Sequence, residues 1–488
     1  MIIPEKEQFL TKKYVKGSIF LLINTWFKSG LGIIANLFIA WFLIPEDLGI
    51  IKITIFFIAF IQIFRDFGFG AAVINSKKPN KELFQTYTVF QIFFGIIFTI
   101  LIFVTSPFIA YIFNYPELDI ILKIFSFNIL ICAFTAIPNI YFSKSLKFKL
   151  ILKKGLIISA INYILTIIFA VLGFRYWSII IALYIANFLD LIISWIVVKL
   201  RVSPRIHKSI FIELLKFSAP ILLASLIFFG EQNYDDFIVG IASGFTILGF
   251  YSYAFTISNY LATQISSPLN STIYPIYCDL KANPKELKNF FERNLLIIST
   301  ICIFLVLFLI FNAEPLILFI LTDKWAPMIT VFQILCVYGL LRAWGMTCGS
   351  IYMAIGKYKI ITILSFLNLF LMFPLVPYFA YSFSYIEVSY LITILHLIII
   401  VVAFLILYRY IKFDFKKTIL YQLISATVSF IPTILLLFFY ELNIIYVLVS
   451  ALSSITIYFL CLNILLKRKL YKYIKTGFEI FIGRKLFN

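Results

Sequence analysis

Charge is what this sequence has least of. Only 13% of its 488 residues are Asp, Glu, Lys or Arg, and 62% are hydrophobic, whereas soluble domains carry about 25% charged and about 45–50% apolar residues. An ordinary water-soluble fold is thereby excluded. Histidine is almost missing, with His207 and His396 alone, and the six cysteines (Cys132, Cys278, Cys302, Cys336, Cys348 and Cys461) form no C-x-x-C pair. Neither a metal site nor a disulfide framework is expected, and no cofactor motif is found. Also absent is any polar stretch of about 50 residues or more that could fold as a separate catalytic domain. The opening MIIPEKEQFLTKKYVKG is charged and leads into a long apolar run, so no cleavable signal peptide is expected.

What is present is a series of apolar runs of roughly 20 residues or more, the length a helix needs to cross a bilayer core of about 30 Å. Backbone groups in lipid must be satisfied within their own segment, and short alternating strand-like segments do not dominate, so the runs are read as helices. The expected fold class is an all-α polytopic membrane protein with about fourteen transmembrane helices. Spans are read at 17–43, 47–75, 83–113, 118–143, 152–173, 176–199, 213–240, 245–274, 287–322, 328–354, 358–380, 386–411, 417–440 and 443–466.

The formal net charge of +19 does not point to nucleic acid, because its placement is topological. Alternate breaks hold 34 of the 41 Lys and Arg residues, whereas LIPEDLG, NYPELD, FRYW, ASGF, TDKWAP, SFSYIE and YELN are nearly bare. This is the positive-inside pattern. It predicts both termini in the cytoplasm and an even number of spans.

The two halves match at an offset near 200 residues. Lys16 and Ser18 pair with Lys216 and Ser218, Leu48-Gly49 with Leu248-Gly249, PNKELF (Pro79 to Phe84) with NPKELK (Asn283 to Lys288), PFIAYIFNY from Pro107 with PLILFILTD from Pro315, and KFK (Lys147 to Lys149) with KYK (Lys357 to Lys359). Each half starts on the same side and holds six spans, so the repeats are parallel, as in transporters with a lobe interface. The expected organisation is a six-helix lobe at 1–200, a second at 201–411, and two extra helices with a basic tail at 412–488.

FLIPEDLGIIKI (Phe42 to Ile53), RDFGFGAAVI (Arg65 to Ile74) and NYDDFIVGIASGFTILGFYSYA (Asn233 to Ala254), set in this six-plus-six-plus-two arrangement, resemble the multidrug/oligosaccharidyl-lipid/polysaccharide exporter superfamily. Within it the chain looks like a Wzx-type O-antigen or polysaccharide-repeat flippase. One departure is Asp236, at a place where that pattern expects a basic or apolar residue. The resemblance implies translocation of an undecaprenyl-diphosphate-linked oligosaccharide across the bacterial inner membrane by alternating access. A proton or sodium gradient is the candidate drive.

Ionisable residues inside spans cost at least ~2.5–3.5 kcal/mol at the centre of an isolated helix and normally face a cavity or a partner. Those read here are Lys28, Arg65, Asp66, Asp190, Glu231, Asp235, Asp236, Glu314, Arg342 and His396. Asn24, Lys28, Gly32 and Asn36 form a stripe at i+4 spacing on the first span, and Gln62, Asp66 and Gly70 another on the second. Ser252, Thr256, Asn259, Thr263, Ser266 and Asn270 line one face of the eighth. That face suits either a sugar or diphosphate in a wet cleft or helix packing through small polar groups. Lys28, Arg65 and Arg342 would supply positive charge for a diphosphate, or pair structurally with acids such as Asp66 or Asp190. Substrate contacts are accordingly expected from Lys28, Arg65, Asp66, Arg342, Asn24, Asn259 and Thr263. Glu231 and Asp235 share one face of the seventh span, and crowded carboxylates in low dielectric favour taking up a cation or proton, unless Asp235 and Asp236 simply lie at the outer interface.

Two other classes remain. An exporter of organic cations would need an acid-dominated cleft, whereas three central charges here are basic. A membrane polymerase or glycosyltransferase would need a large outer loop, and the outer breaks are all short. The expected partners are therefore a lipid-linked oligosaccharide, the bilayer and a coupling proton or sodium, with no nucleic acid and no catalytic residue. Oligomeric state is not legible.

Overall fold

A computed structural model describes residues 30–198, 203–436 and 444–466. Among these residues the chain is helical, with no strand. The helices are α1 (Gly30–Phe42), α2 (Pro45–Asp66), α3 (Phe69–Asn75), α4 (Asn80–Ile112), α5 (Glu117–Lys144), α6 (Phe148–Val171), α7 (Trp177–Val198), α8 (Lys208–Ser258) and α9 (Ser267–Leu280). They continue as α10 (Pro284–Phe311), α11 (Ala313–Leu321), α12 (Ile329–Ala354), α13 (Tyr358–Ser382), α14 (Tyr385–Tyr410), α15 (Tyr421–Ser429), α16 (Ile431–Leu436) and α17 (Ile444–Leu465). Twelve continuous helical stretches are long and apolar enough to cross a membrane. One of them, Lys208–Leu280, runs 73 residues and holds two passes, and α1 is the described part of the first expected span. The fourteen-span reading therefore agrees with the structure.

Helix ends follow local chemistry. Pro284 opens α10 behind Asn283, whose side chain accepts from the Glu286 backbone N–H. Ser384 and Glu387 form a capping box at α14. The turn inside α8 falls at Gly244, whose φ of 77° and ψ of 176° lie where a side chain would be strained. Two expected spans are broken. The second splits at Phe67 and Gly68 into α2 and α3, and the ninth splits at Asn312 into α10 and α11. Asn312 is fully buried, donates to the Phe308 carbonyl at 2.9 Å and accepts from Ser450 at 2.7 Å, so a side-chain amide takes over where the backbone ladder stops.

Apolar side chains face outward and polar ones inward, the reverse of a soluble protein. On α4, Phe93, Ile100, Val104 and Phe108 are exposed along one face while Gln85, Thr86, Thr88 and Gln91 are buried. On α17, Leu452 and Ile464 are exposed while Ser450, Ser454 and Tyr458 are buried. The exposed face is the one lipid covers.

The described chain divides into two compact units, 30–252 and 253–466, so the division falls inside α8, in the pass after its turn. In the first unit α5 packs on α4 and α7, and α6 packs on α7. Its bare breaks gather at one end: Arg175 reaches Asp47 at 3.0 Å and Glu46 at 3.7 Å, and Tyr176 donates to Glu117 at 2.8 Å. Its basic breaks gather at the other: Gln85 donates to Ser203 at 2.8 Å and Lys144 to the Ser76 carbonyl at 2.6 Å. In the second unit α12 packs on α10, α13 and α14, and α15 lies between α10 and α17.

Candidate functional site

The most constrained place in the first unit is the crossing of α2 with the part of α8 beyond Gly244. Pro45 starts the former, and Gly49 and Gly249 lie about one turn inside each segment. A methyl group on Gly49 would stand 2.0 Å from the Phe245 carbonyl oxygen, and one on Gly249 would stand 1.8 Å from the Pro45 carbonyl oxygen. Residues 45 and 245, like 49 and 249, are separated by the repeat offset. The Leu-Gly match between the halves is thus the mark of a reciprocal contact: each glycine admits the other segment's backbone. Above it, the bare breaks form a cap. Burial, followed by the hydrogen bond to Glu117, pushes the Tyr176 hydroxyl up to about 12, and burial followed by the nearby Glu117 and Glu46 charges raises Tyr115.

Beneath the crossing lies a buried ionic group. Lys52, on α2, meets Asp236, on α8, at 2.7 Å. Tyr251, beyond the turn, donates to Asp235 at 2.6 Å. Asp235 and Asp236 are 1% and 0% exposed. Phenylalanines close the sides: Phe56 stacks on Phe237 at 5.1 Å, Phe57 and Phe113 meet Phe237 edge-on, and Phe113 stacks on Phe245 at 5.7 Å. At 1.5 Å per residue, Lys52 stands about 10 Å from the start of α2. The carboxylates are therefore enclosed within the protein, about two turns along from the start of α2. Lys52 explains the departure at Asp236: an acid is tolerated there because the facing helix supplies an ammonium. Lys52 and Tyr251 escaped the sequence reading, and the available signal was that Lys52 is one of few basic residues outside the basic breaks.

The other expected residues fall as follows. Asp66 faces the backbone N–H groups of Gly68 and Gly70 and accepts from Gln91 at 3.5 Å, so it caps the break between α2 and α3. Arg65 is 7% exposed, and its Nε and Nη1 have no hydrogen-bond partner among the described residues. It lies near Asp66, Tyr87 and Cys132. Arg342 belongs to the other unit, on α12 beside His396. Lys28 and Asn24 lie outside the described residues. Asp190 pairs with Lys154 at 2.7 Å. Glu231 is half-buried, one turn from Asp235 on α8.

The eighth-span stripe divides in two. Asn259 is buried with an unpartnered Oδ1, and Thr263 lies in a π-helical turn at Leu261–Ser266, a distortion frequent at functional sites. Further along, Asn270 donates to Thr347 at 3.2 Å and accepts from Asn294 at 3.0 Å, and Asn294 also donates to Tyr277 at 2.9 Å. That end is helix packing. Among the described residues no group of three or more His, Cys, Asp or Glu could hold a metal.

Many helical passes, apolar faces toward lipid and buried charges paired between helices define a polytopic membrane protein of transporter fold. Residues 38–330 match the family described as polysaccharide biosynthesis protein, and the chain belongs to that family. It is 22% identical over 378 residues to the lipopolysaccharide biosynthesis protein WzxC of Escherichia coli (strain K12), covering 75% of each chain. It is 23% identical over 304 residues to the teichuronic acid biosynthesis protein TuaB of Bacillus subtilis (strain 168), covering 61% of this chain and 62% of that one. Among solved structures it superimposes on the lipid II flippase MurJ in an inward closed conformation with a TM-score of 0.75 at 18% identity, covering 92% of this chain and 99% of that one. An inward-facing MATE-family multidrug transporter of the MOP superfamily gives a TM-score of 0.63 at 14% identity, covering 78% and 93%. The superfamily resemblance read from the sequence is thus borne out in family and fold.

Proposed function

We infer that this chain is a flippase, not an enzyme, which moves an undecaprenyl-diphosphate-linked oligosaccharide from the inner to the outer leaflet of the bacterial cytoplasmic membrane for O-antigen, capsule or exopolysaccharide synthesis. The observation that carries this reading is the family match over residues 38–330. The fold shared with a lipid II flippase supports it, as does the shortness of every break. The two repeats act as lobes, 1–200 and 201–411, with 412–488 as an appendix. The diphosphate is held by Lys28, Arg65 and Arg342 with Asp66, and the sugar by Asn24, Asn259 and Thr263. Arg65 offers two buried N–H donors that nothing described satisfies, which suits an incoming phosphate.

Deletion in the parent bacterium should cause lipid-linked repeat units to accumulate in the inner leaflet. Arg342→Ala and Arg65→Ala should each fail to restore export at normal membrane abundance, and the conservative Lys variants should restore part of it. Loss of resistance to organic cations in the deletion strain, with polysaccharide unaffected, would instead establish a multidrug-type exporter.

The orientation has its own test. Both termini are cytoplasmic in this reading. Single cysteines replacing Ser76 and Ser203, in a cysteine-free background, should be shielded from an impermeant thiol reagent in intact cells, while cysteines replacing Asn114 and Glu117 should react. The opposite pattern would invert the topology.

A further inference from the structure

The buried group at Lys52 holds more acid than base. Two carboxylates, each no more than 1% exposed, face one ammonium, and no other cation among the described residues reaches them. Asp236 takes the ammonium. Asp235 accepts the Tyr251 hydroxyl on Oδ2 and lies against the Asp236 backbone N–H, and its Oδ1 has no hydrogen-bond partner among the described residues. An uncompensated carboxylate in so enclosed a place is strongly disfavoured, so the closed arrangement needs one further positive charge. The described cluster offers a cation two carboxylates and a phenol, with one carboxylate already engaged by the Lys52 ammonium. A proton needs one free oxygen, and Asp235 Oδ1 is free of hydrogen bonds among the described residues.

We propose that Asp235 is the coupling proton site of this transporter and that its proton holds the α2–α8 contact closed. With Asp235 protonated the group is neutral overall: the Lys52–Asp236 pair plus a carboxylic acid. When the Asp235 O–H bond breaks and the proton passes to water, one negative charge is left without compensation. It is relieved by separating α2 from α8 so that water enters. The closed contact therefore binds one proton more than the open one. Acidity on the exposed side favours closure, and rising pH favours opening. The glycine crossing makes the device tight, because backbone packed on backbone leaves no room for water until the segments part. This proposal rests on the transport reading but not on the identity of the cargo.

The groups around Asp235 are Lys52 from α2, Asp236 and Tyr251 from α8, and Glu231 one turn along α8. Over the crossing lie Glu46 and Asp47 with Arg175, and Glu117 with Tyr115 and Tyr176.

The test reads the contact directly. In a cysteine-free background, Phe237→Cys places a thiol between Phe56, Phe57 and Phe113, and Asn114→Cys provides an exposed control. The protein is reconstituted in liposomes, and labelling of the first site by a hydrophilic thiol reagent is divided by that of the second. The ratio should rise severalfold between about pH 6 and about pH 8.5, at no more than about tenfold per pH unit for one linked proton. Asp235→Asn, which imitates the protonated acid, should hold the ratio low at every pH. Glu231→Gln should keep the rise. A flat ratio in the parent would overturn the proposal without need of any variant, as would a rise that survives Asp235→Asn or disappears in Glu231→Gln. A ratio moved by replacing potassium with sodium at fixed pH, but not by pH, would reassign the site to sodium. Because labelling does not involve the cargo, a failed deletion experiment with a pH-dependent ratio would discard the flippase reading and keep the proton site.

Discussion

Gly249→Ala is expected to separate α2 from α8 and cost about 3 kcal/mol or more, at the upper end of overpacking effects because the obstacle is backbone. The methyl would stand 1.8 Å from the Pro45 carbonyl oxygen and 2.5 Å from its carbonyl carbon. A helix start cannot rotate away as a flexible side chain would, so the two segments must move apart by about 1 Å in a close-packed interior. Gly49→Ala should behave alike, since its methyl meets the Phe245 carbonyl oxygen at 2.0 Å. The double variant should be scarcely worse than either single one, because separation caused by the first methyl makes room for the second. Gly155→Ala in α6, where nothing lies within 4 Å of an added methyl, should be neutral or stabilising by about 0.5–1 kcal/mol. Apparent Tm in detergent and the monodisperse fraction measure all four. If Gly249→Ala melts like the parent, or the two single effects simply add, the reciprocal crossing is wrong.

Lys154→Met should destabilise the first unit by about 3–5 kcal/mol, the cost of breaking a buried ion pair by removing one partner. Lys154 Nζ donates to Asp190 at 2.7 Å, Asn139 at 2.5 Å and Ser194 at 2.7 Å, joining α6 to α5 and α7. The pair is mostly buried, with side-chain exposures of 6% and 20%, so solvent screening relieves little of the loss. Asp190→Asn keeps the shape and removes only the charge, and it should cost about 1–3 kcal/mol. Combining Lys154→Met with Asp190→Leu should recover much of the single loss, since an apolar pair does not leave a buried charge alone. Thermal unfolding followed by size-exclusion profile decides this. A Lys154→Met protein as stable as the parent would mean that water already compensates Asp190.

The contrast between these residues shows what could be read from the chain alone. Lys154 closes a run of basic residues that starts at Lys144 in the sequence, yet α6 begins at Phe148 and carries it more than a turn inward. Lys52 stands seven residues after Pro45 beside an acid-bearing break and reads as a residue of a helix start. Asp236 was visible as a departure from the family pattern, but its reason was a lysine more than 180 residues away. The polar stripe of the eighth span looked uniform, and only its neighbours separate the end at Asn270, which packs on Thr347 and Asn294, from the π-helical turn at Thr263.

The sequence by itself determined the helical passes, their number, the alternation of basic and bare breaks, and the two matching halves. These are local or additive properties: a helix satisfies its backbone within itself, its length is set by the bilayer, and charge bias is counted break by break. The tertiary structure alone decided that Lys52 meets Asp236, that Lys154 meets Asp190, that Asp66 caps a helix break, and that Gly49 and Gly249 exchange places against each other's carbonyls. Such pairings depend on how far each helix is rotated and where two axes cross. A shift of one residue along a helix turns a side chain by about 100°, and no count of residue types along the chain carries that angle.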